Sequence, residues 1–188
     1  MIKKLLIMAL AACWLCSCSM NTRVEKVENK VLLDTAQVVE RVNEIYADVF
    51  HHYEVLANSN GLRDRLVGKK PPAIKYCTRD WNDWITQVTT YDATHQEDGM
   101  VGFFEADYWI MGQDWGELAV SDVHVTSMTD STATVELNLH NLGIVTALRL
   151  DMCKEDRAWK IDNFIDVKND VDWKANMKDY LAGEKANQ

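Results

Sequence analysis

The sequence predicts an α+β domain in which N-terminal helices pack on a curved antiparallel sheet of four or more strands, with a C-terminal helix after the sheet. Three observations predict this class. Residues 117–167 alternate apolar and polar side chains with the period of a strand, residues 34–58 and 78–92 carry apolar stripes at helical spacing, and residues 169–181 repeat that helical spacing. A sheet with one apolar face needs helices on that face only.

The first helix is expected to run from about Asp34 to Asn58. Asp34 or Thr35 can cap its start, and the polar run 58–61 ends it. Its apolar stripe extends over five turns, at Val38, Val42, Ile45, Tyr46, Val49, Tyr53 and Leu56. A stripe of this length can cover the apolar face of the sheet.

A connector at residues 62–73, which contains both prolines, leads to a second helix that is expected to fade near residues 89–92. Thr78 can cap this helix, and Asp80 is favourable in its first turn. The apolar stripe consists of Trp81, Trp84, Ile85 and Val88. The tryptophans make this helix a second source of aromatic core.

Four strands follow, separated by turn residues at 129–131, 141–143 and 155–156. The alternation changes phase near Ser121 and Asp122, which predicts a β-bulge in the first strand. Core-facing positions are expected at Ala133, Val135, Leu137 and Leu139 and, in the last strand, at Trp159, Ile161, Ile165 and Val167. By the same parity, His124 and His140 lie on the polar face.

The final helix is expected to be capped by Asn169 or Asp170 and to end at Gly183. Its buried face is predicted to carry Val171, Lys174, Met177 and Leu181. Residues 34–183 therefore form one domain, and residues 184–188 are a tail. The length of 188 residues suits a single domain, and a hydrophobic fraction of 47% can build its core.

Charge and motifs exclude several classes of function. The formal net charge of −9, without a basic cluster, makes nucleic-acid binding unfavourable. The five histidines show no metal-binding spacing, and the chain contains no glycine-rich phosphate loop. We therefore expect no metal and no cofactor.

The N-terminus resembles a bacterial lipoprotein signal. Lys3 and Lys4 precede the apolar run 5–12, and cysteines follow at positions that include Cys13 and Cys18. Cys18 gives a normal signal length, whereas Cys13 better matches the cleavage pattern, so Cys18 is our expected lipidation site and Cys13 the alternative. Residues 1–17 would then be a signal peptide and residues 18–33 a lipidated cysteine and polar tether. This predicts a lipid-anchored protein of the bacterial cell envelope, on the periplasmic or surface face.

Two cysteines, Cys77 and Cys153, remain in the expected domain. In an extracytoplasmic compartment they can form a disulfide, which would close a long loop. The alternative is that both are small buried apolar residues.

The order of helices, loop and meander, with its terminal Trp-Lys-Ile-Asp strand, resembles the cone-shaped fold of the nuclear transport factor two-like superfamily. More narrowly, it is similar to a family of lipoprotein-anchored domains of unknown function found mainly in gut Bacteroidetes. The residues that carry this resemblance are 76–78, 112–115 and 154–164. The resemblance implies a cone with an open end, where some relatives catalyse.

The glycine- and aromatic-rich segment 95–116 leads to that end. The expected ligand-binding residues are Tyr46, Trp84, Asp107, Trp109, Asp114 and Trp115. A carboxylate among these aromatic rings could act as a base. The simpler interpretation is that Gln113 and Asp114 hydrogen-bond the backbone and hold the loop.

Three functions remain open from the sequence. The first is a non-enzymatic module that binds a small molecule or peptide, in a monomer or weak homodimer. The second is an isomerase- or hydrolase-like enzyme that uses Asp107 or Asp114. The third is an envelope interaction or immunity-like protein. A desolvated carboxylate opposite a tyrosine hydroxyl would favour the enzyme, an open aromatic cleft the binding module, and a filled cone the interaction role.

Overall fold

The computed structural model describes the backbone of residues 8–58, 70–95 and 102–186, and the side chains of residues 32–58, 70–95 and 102–183. The chain divides into two compact units, Met1–Gln37 and Val38–Gln188. The first unit contains the N-terminal part of one long helix, α1 (Met8–Asn58). The second unit contains the rest of α1 and all the other elements described below.

The N-terminal part of α1 differs from the expected tether. We expected an irregular segment before a helix start at about Asp34, but the helical backbone begins at Met8. Residues 19–33 contain neither glycine nor proline, so nothing in their composition breaks a helix even though they lack an apolar stripe. The side chains of Cys13 and Cys18 lie outside the described residues, as does the backbone of residues 1–7.

Within the second unit, α1 buries the predicted stripe. Val38, Val42, Ile45, Tyr46 and Val49 are fully buried, and the helix ends at Asn58 as predicted. Tyr53, one turn further on, keeps 6% of its surface exposed. The residues of this stripe belong to the hydrophobic core that also includes the apolar face of the sheet.

A short helix, α2 (Pro72–Tyr76), occupies the end of the predicted connector, with proline in its first turn. It is followed by α3 (Arg79–His95), which is longer than predicted. The predicted cap is confirmed, because the Trp81 backbone N–H donates to Thr78 Oγ1 at 3.1 Å. In the polar C-terminal part of α3, threonine hydroxyls donate to carbonyls of the preceding turn, as Thr94 Oγ1 does to the Thr90 carbonyl at 2.9 Å.

The predicted fold class is confirmed: the helices are followed by an open, curled antiparallel sheet and then by a C-terminal helix. Five strands pair in sequence order within the described chain. They are β1 (Ala119–Met128), β2 (Thr132–Asn141), β3 (Ile144–Glu155), β4 (Ala158–Asp166) and the two-residue β5 (Val171–Asp172). The alternation in β2 is also as predicted, with Leu137 and Leu139 buried between outward-facing polar residues.

The bulge predicted in β1 is present. The register between β1 and β2 shifts between Ser121 and His124, and Asp122 adopts a left-handed φ of 54°. Aspartate tolerates this conformation better than most residues. A second shift, between Val125 and Ser127, was not predicted.

The predicted core face of β4 is wrong at Phe164 and Val167, although Ile165 is buried as predicted. Asp151 of β3 pairs with Asn163, and the next residue, Met152, pairs with Ile161. The extra residue in β4 reverses the parity, so Phe164 enters the core while Val167 remains 49% exposed.

The start and end of the final helix, α4 (Trp173–Ala186), also differ from prediction. The cap is Asp172, whose Oδ1 accepts the Ala175 N–H at 2.9 Å, and not Asn169 or Asp170. The helix continues through Gly183 into the expected tail. Its buried face is largely as predicted, with Lys174, Met177 and Leu181 less than 9% exposed.

Aromatic rings fill the region where the helices meet the sheet. Phe164 lies at their centre, with its ring centroid 4.9 Å from those of Trp81 and Trp109 and 5.0 Å from that of Tyr108. Close ring pairs at these angles stabilise a core beyond the area they bury. Three separate elements (α3, the loop before β1, and β4) are thereby joined.

Candidate functional site

The loop before β1 contains a tight turn that begins at Asp107. The Asp107 backbone N–H donates to the Gly112 carbonyl at 2.8 Å, and the Gly112 N–H donates to the Asp107 carbonyl at 3.3 Å. Met111 takes a left-handed φ of 49° inside this turn. These bonds hold the Asp107 backbone at the base of the turn.

Both oxygens of the Asp107 carboxylate accept hydrogen bonds from the protein. Tyr53 donates its hydroxyl to Oδ2 in a short bond, and the Trp109 backbone N–H donates to Oδ1 at 2.8 Å. Burial raises the pKa of Asp107 above its usual value, while these two hydrogen bonds and nearby His52 act in the opposite direction. The site is therefore a desolvated carboxylate that two donors hold in place.

The Tyr53 hydroxyl is the donor in this pair at neutral pH. Burial raises the pKa of Tyr53 far above its usual value, and the negative charge of Asp107 raises it further. Because the phenol keeps its proton, Tyr53 and Asp107 form a neutral donor facing a charged acceptor. Hydrogen bonds to a charged acceptor are stronger than those between neutral groups.

Tyr46 lies deeper, in the aromatic core. Its ring centroid is 6.1 Å from that of Trp109, and among the described residues its buried hydroxyl has no hydrogen-bond partner. Burial raises the pKa of Tyr46, with smaller contributions from Cys77 and Asp107. Tyr46 and Trp109 are thus core residues, and the Trp109 backbone N–H is the group that holds Asp107.

An open depression lies on the solvent side of Asp107. Its volume is about 560 Å³, within the range of small-molecule sites. The residues that line it are Phe104, Glu105, Ala106, Asp107, Tyr108 and Gln113. The lining thus combines two aromatic rings with two carboxylates and one amide.

Asn141, at the end of β2, holds the second half of the loop. Its Nδ2 donates to the carbonyls of Ile110 at 3.2 Å and Asp114 at 3.0 Å, and its Oδ1 accepts the Gly116 N–H at 3.2 Å. We had assigned this role to the side chains of Gln113 and Asp114. In the structure both of those residues are exposed.

The six expected ligand-binding residues do not form one site. Asp107 lines the depression, with Tyr46 and Trp109 buried behind it. Trp115 packs on Tyr53 with ring centroids 5.1 Å apart, and lines a separate cavity of about 420 Å³. Asp114 is exposed, and Trp84 lies on α3 with Lys178 Nζ 5.4 Å from the centre of its ring.

The six expected ligand-binding residues include only one residue that lines the depression, Asp107. Phe104, Tyr108 and Gln113 lie in the segment that was singled out, but their side-chain directions depend on the turn at Asp107. Tyr53 was assigned only to the apolar stripe of α1. A usable signal was its hydroxyl, because most buried tyrosines have a hydrogen-bond partner, although Tyr46 has none among the described residues.

The histidines of the sheet lie on its polar face, as predicted. His124 Nε2 is 3.8 Å from Glu136 Oε2, and His140 Nε2 contacts Ser121 Oγ at 2.9 Å. Within the described ranges, no three histidine, cysteine or acidic side chains are placed to hold a metal ion.

Cys77 and Cys153 are both free thiols in the structure. Cys77 is buried, and burial raises the pKa of its thiol well above the usual value, so this thiol stays protonated and unreactive. Cys153 is partly exposed on β3, and burial also raises the pKa of its thiol. Cys77 occupies its position as a small apolar residue.

No family model, curated protein or solved structure matches this chain. The resemblance to the nuclear transport factor two-like superfamily therefore stays a prediction. No helix in the described part of the chain has both the length and the apolar character needed to cross a membrane.

Proposed function

We propose that this protein is a non-enzymatic module that binds a small molecule or a peptide side chain in the depression beside Asp107. One observation carries the proposal: a half-buried carboxylate, fixed by Tyr53 and by the Trp109 backbone, lines an open depression of about 560 Å³. Small-molecule sites combine apolar contact area with a few fixed polar groups.

The hydrogen bonds of Asp107 leave it able to accept more. A carboxylate has about four lone-pair sites, and the bonds from Tyr53 and Trp109 use two of them. A ligand donor can therefore bind without displacing the protein donors. Because the carboxylate is already held in position, a ligand does not have to order it, and this favours affinity.

An isomerase- or hydrolase-like activity is the second candidate, and the same pair favours it. A carboxylate whose pKa is raised by burial can accept a proton at a pH nearer neutrality than an exposed one. Tyr53 would donate to the carboxylate and so would position the base. Against this role, Tyr53 faces Asp107 directly, so its hydroxyl is not aimed at a substrate across the depression.

Ligand screening with matched variants tests the binding proposal. The purified full-length chain is screened against metabolites and short peptides by thermal shift and native mass spectrometry. Gln113→Ala alters the lining of the depression, and Gln87→Ala on α3 is the control because Gln87 is equally exposed but remote from the lining. A compound that stabilises the parent protein and Gln87→Ala, but not Gln113→Ala, supports the proposal.

Two results would contradict the binding proposal. One is that no compound class stabilises the parent protein. The other is that Gln113→Ala and Gln87→Ala bind every stabilising compound equally. A third result would favour the enzyme over the binding module. In that case the protein turns over a bound compound, and Asp107→Asn abolishes turnover while binding is retained.

We also propose that the protein is lipid-anchored in the bacterial cell envelope. The support is the order of features in residues 1–18, where two lysines are followed by an apolar run and then by cysteines. Metabolic labelling with a palmitate analogue tests this: Cys18→Ala should abolish the label. If Cys13→Ala abolishes it instead, the lipidated residue is Cys13, and label retained in both variants contradicts the anchor.

A further inference from the structure

A second cavity lies between α1 and α2, and Asp107 is not among its lining residues. Its volume is about 460 Å³. Successive turns of α1 contribute one wall, and the segment that leads into α2 contributes the other. The lining residues are Asp48, His51, His52, Val55, Lys70, Pro72 and Lys75. The proposed small-molecule function at Asp107 does not use this cavity.

Nitrogen-bearing side chains dominate the lining. The one carboxylate, Asp48, is already neutralised: its Oδ2 accepts from Lys75 Nζ at 3.0 Å and from the Tyr76 hydroxyl at 2.7 Å. Lys75 and Tyr76 accordingly lower the pKa of Asp48 below its usual value. Lys70 therefore supplies a positive charge that Asp48 does not balance, and His51 and His52 add two imidazole rings to the lining.

The same contacts fix the geometry of the cavity. Lys75 Nζ lies 4.6 Å from the centre of the Tyr76 ring, and the Arg41 guanidinium carbon lies 5.2 Å from it. Of these two cations only Lys75 lines the cavity, and its ammonium is held by Asp48 and by the Tyr76 ring. Glu54 opposes this charge, since its Oε2 is 3.5 Å from His51 Nδ1, but both of these side chains are largely exposed.

The other two cavities described above have the opposite character. One carries Glu105 and Asp107, and the other carries Glu54 and Glu117. Of these three cavities, the α1–α2 cavity alone is lined by lysines. The chain as a whole has a formal net charge of −9. Among these three cavities, the α1–α2 cavity is therefore the favourable place for an anion.

We propose that the α1–α2 cavity binds a small oxyanion, namely a carboxylate or phosphate group of a ligand. Lys70 supplies the uncompensated charge, Lys75, which is paired with Asp48, supplies a further ammonium group, and the imidazoles of His51 and His52 line the same cavity. A lysine ammonium suits such a group because it is a point charge with three donors and requires no fixed fork geometry.

NMR titration of the imidazole C–H signals tests this proposal on the full-length chain. Inorganic phosphate and acetate are added separately, with chloride adjusted to keep the ionic strength constant. The variant is Lys70→Gln, and the control is Lys168→Gln, which removes the same charge from an exposed position between β4 and β5. Both residues are exposed, so neither change threatens the fold.

The expected result is a saturable shift of the His51 and His52 signals. Lys70→Gln should weaken binding about fivefold, as expected for one charge about 4 Å away near solvent, and Lys168→Gln should leave it unchanged. Saturation by both anions assigns the site to oxyanions in general, and saturation by phosphate alone assigns it to phosphate groups.

Shifts that do not saturate, or equal effects of Lys70→Gln and Lys168→Gln, would overturn the proposal. Gln113→Ala should have no effect on this titration, because Gln113 lines the other depression. Because His52 also acts on the pKa of Asp107, the His51 signal is the readout that separates binding at the α1–α2 cavity from binding beside Asp107.

Discussion

Replacing Tyr53 with phenylalanine removes one oxygen atom and thereby one of the two donors to Asp107. Tyr53 is 6% exposed, and its ring contacts with Trp115 can persist in the variant. The carboxylate would remain half-buried with only the Trp109 N–H as donor. A hydrogen bond to a charged group contributes about 1.5 to 3 kcal/mol, so we expect a loss of about 2 kcal/mol in the free energy of unfolding at pH 7.

This loss should depend on pH in a defined direction. Burial raises the folded-state pKa of Asp107, so its contribution to stability is fully present below the unfolded-state pKa and decreases as the pH rises through the folded-state pKa. Tyr53→Phe removes a bond that lowers this pKa, which raises it further. The variant therefore loses more stability than the parent between about pH 4 and pH 7.

Urea denaturation of both proteins at pH 4 and pH 7 measures the effect. Tyr76→Phe is the matched control, because Tyr76 also donates to a carboxylate, that of Asp48, which is 48% exposed and keeps Lys75 as a partner. We expect a control loss of about 0.5 kcal/mol. The reasoning is refuted if Tyr53→Phe costs no more than Tyr76→Phe at pH 7, or if its cost is the same at both pH values.

Three further predictions concern the elements that hold the domain together. Lys174→Met removes a cation that lies 2.7 Å from both Asp80 and Asp162, so the free energy of unfolding at pH 7 should fall by about 2 kcal/mol. An unchanged urea midpoint would contradict a stabilising role for these two ion pairs. Asp172→Ala removes the cap of α4 and should cost about 1 kcal/mol, whereas Asp170→Ala should cost less if the cap is assigned correctly. Gly143→Ala places a side chain on a residue with a left-handed φ of 76° and should therefore lower stability by about 1 kcal/mol. This cost comes from the backbone conformation alone, because the added methyl group meets no atom within 4 Å.

The elements that were predicted well are those in which local pattern and burial agree. In β2 every second residue from Ala133 to Leu139 is buried, and the sequence alternates with the same period. The stripe of α1 from Val38 to Tyr53 follows the helical repeat in the same way. A period is a local property of the chain, so it can be identified without knowing what packs against it.

The errors in β4 and α4 arose where a distant partner decides the conformation. The extra residue in β4 is set by pairing with β3, and it exchanges the faces of Ile165 and Phe164. The N-terminus of α4 is set by Asp172 together with Asn163, whose Oδ1 accepts the Lys174 N–H at 3.1 Å. Asn169 and Asp170 were equally good local caps, so spacing alone did not select among them.

In the candidate site, too, the local pattern predicted some residues and distant contacts decided the others. The segment with Asp107 and Trp109 was singled out because glycines and aromatic residues are concentrated there, and Asp107 does line a depression. Its donor Tyr53, however, is 54 residues away in the chain. Trp84 and Asp114 were included for their chemistry alone, and the structure brings neither to the depression.

The sequence by itself determined the fold class, the apolar faces of α1 and β2, the bulge in β1 and the position of the histidines on the polar face. Each of these follows from a period or a turn residue, which acts over a few positions. Only the tertiary structure decided that Asp107 is held by Tyr53, that Tyr46 and Trp109 are buried behind it, and that a basic cavity lies between α1 and α2. These features depend on contacts between segments far apart in the chain, where burial and charge are set by the neighbours that folding brings together.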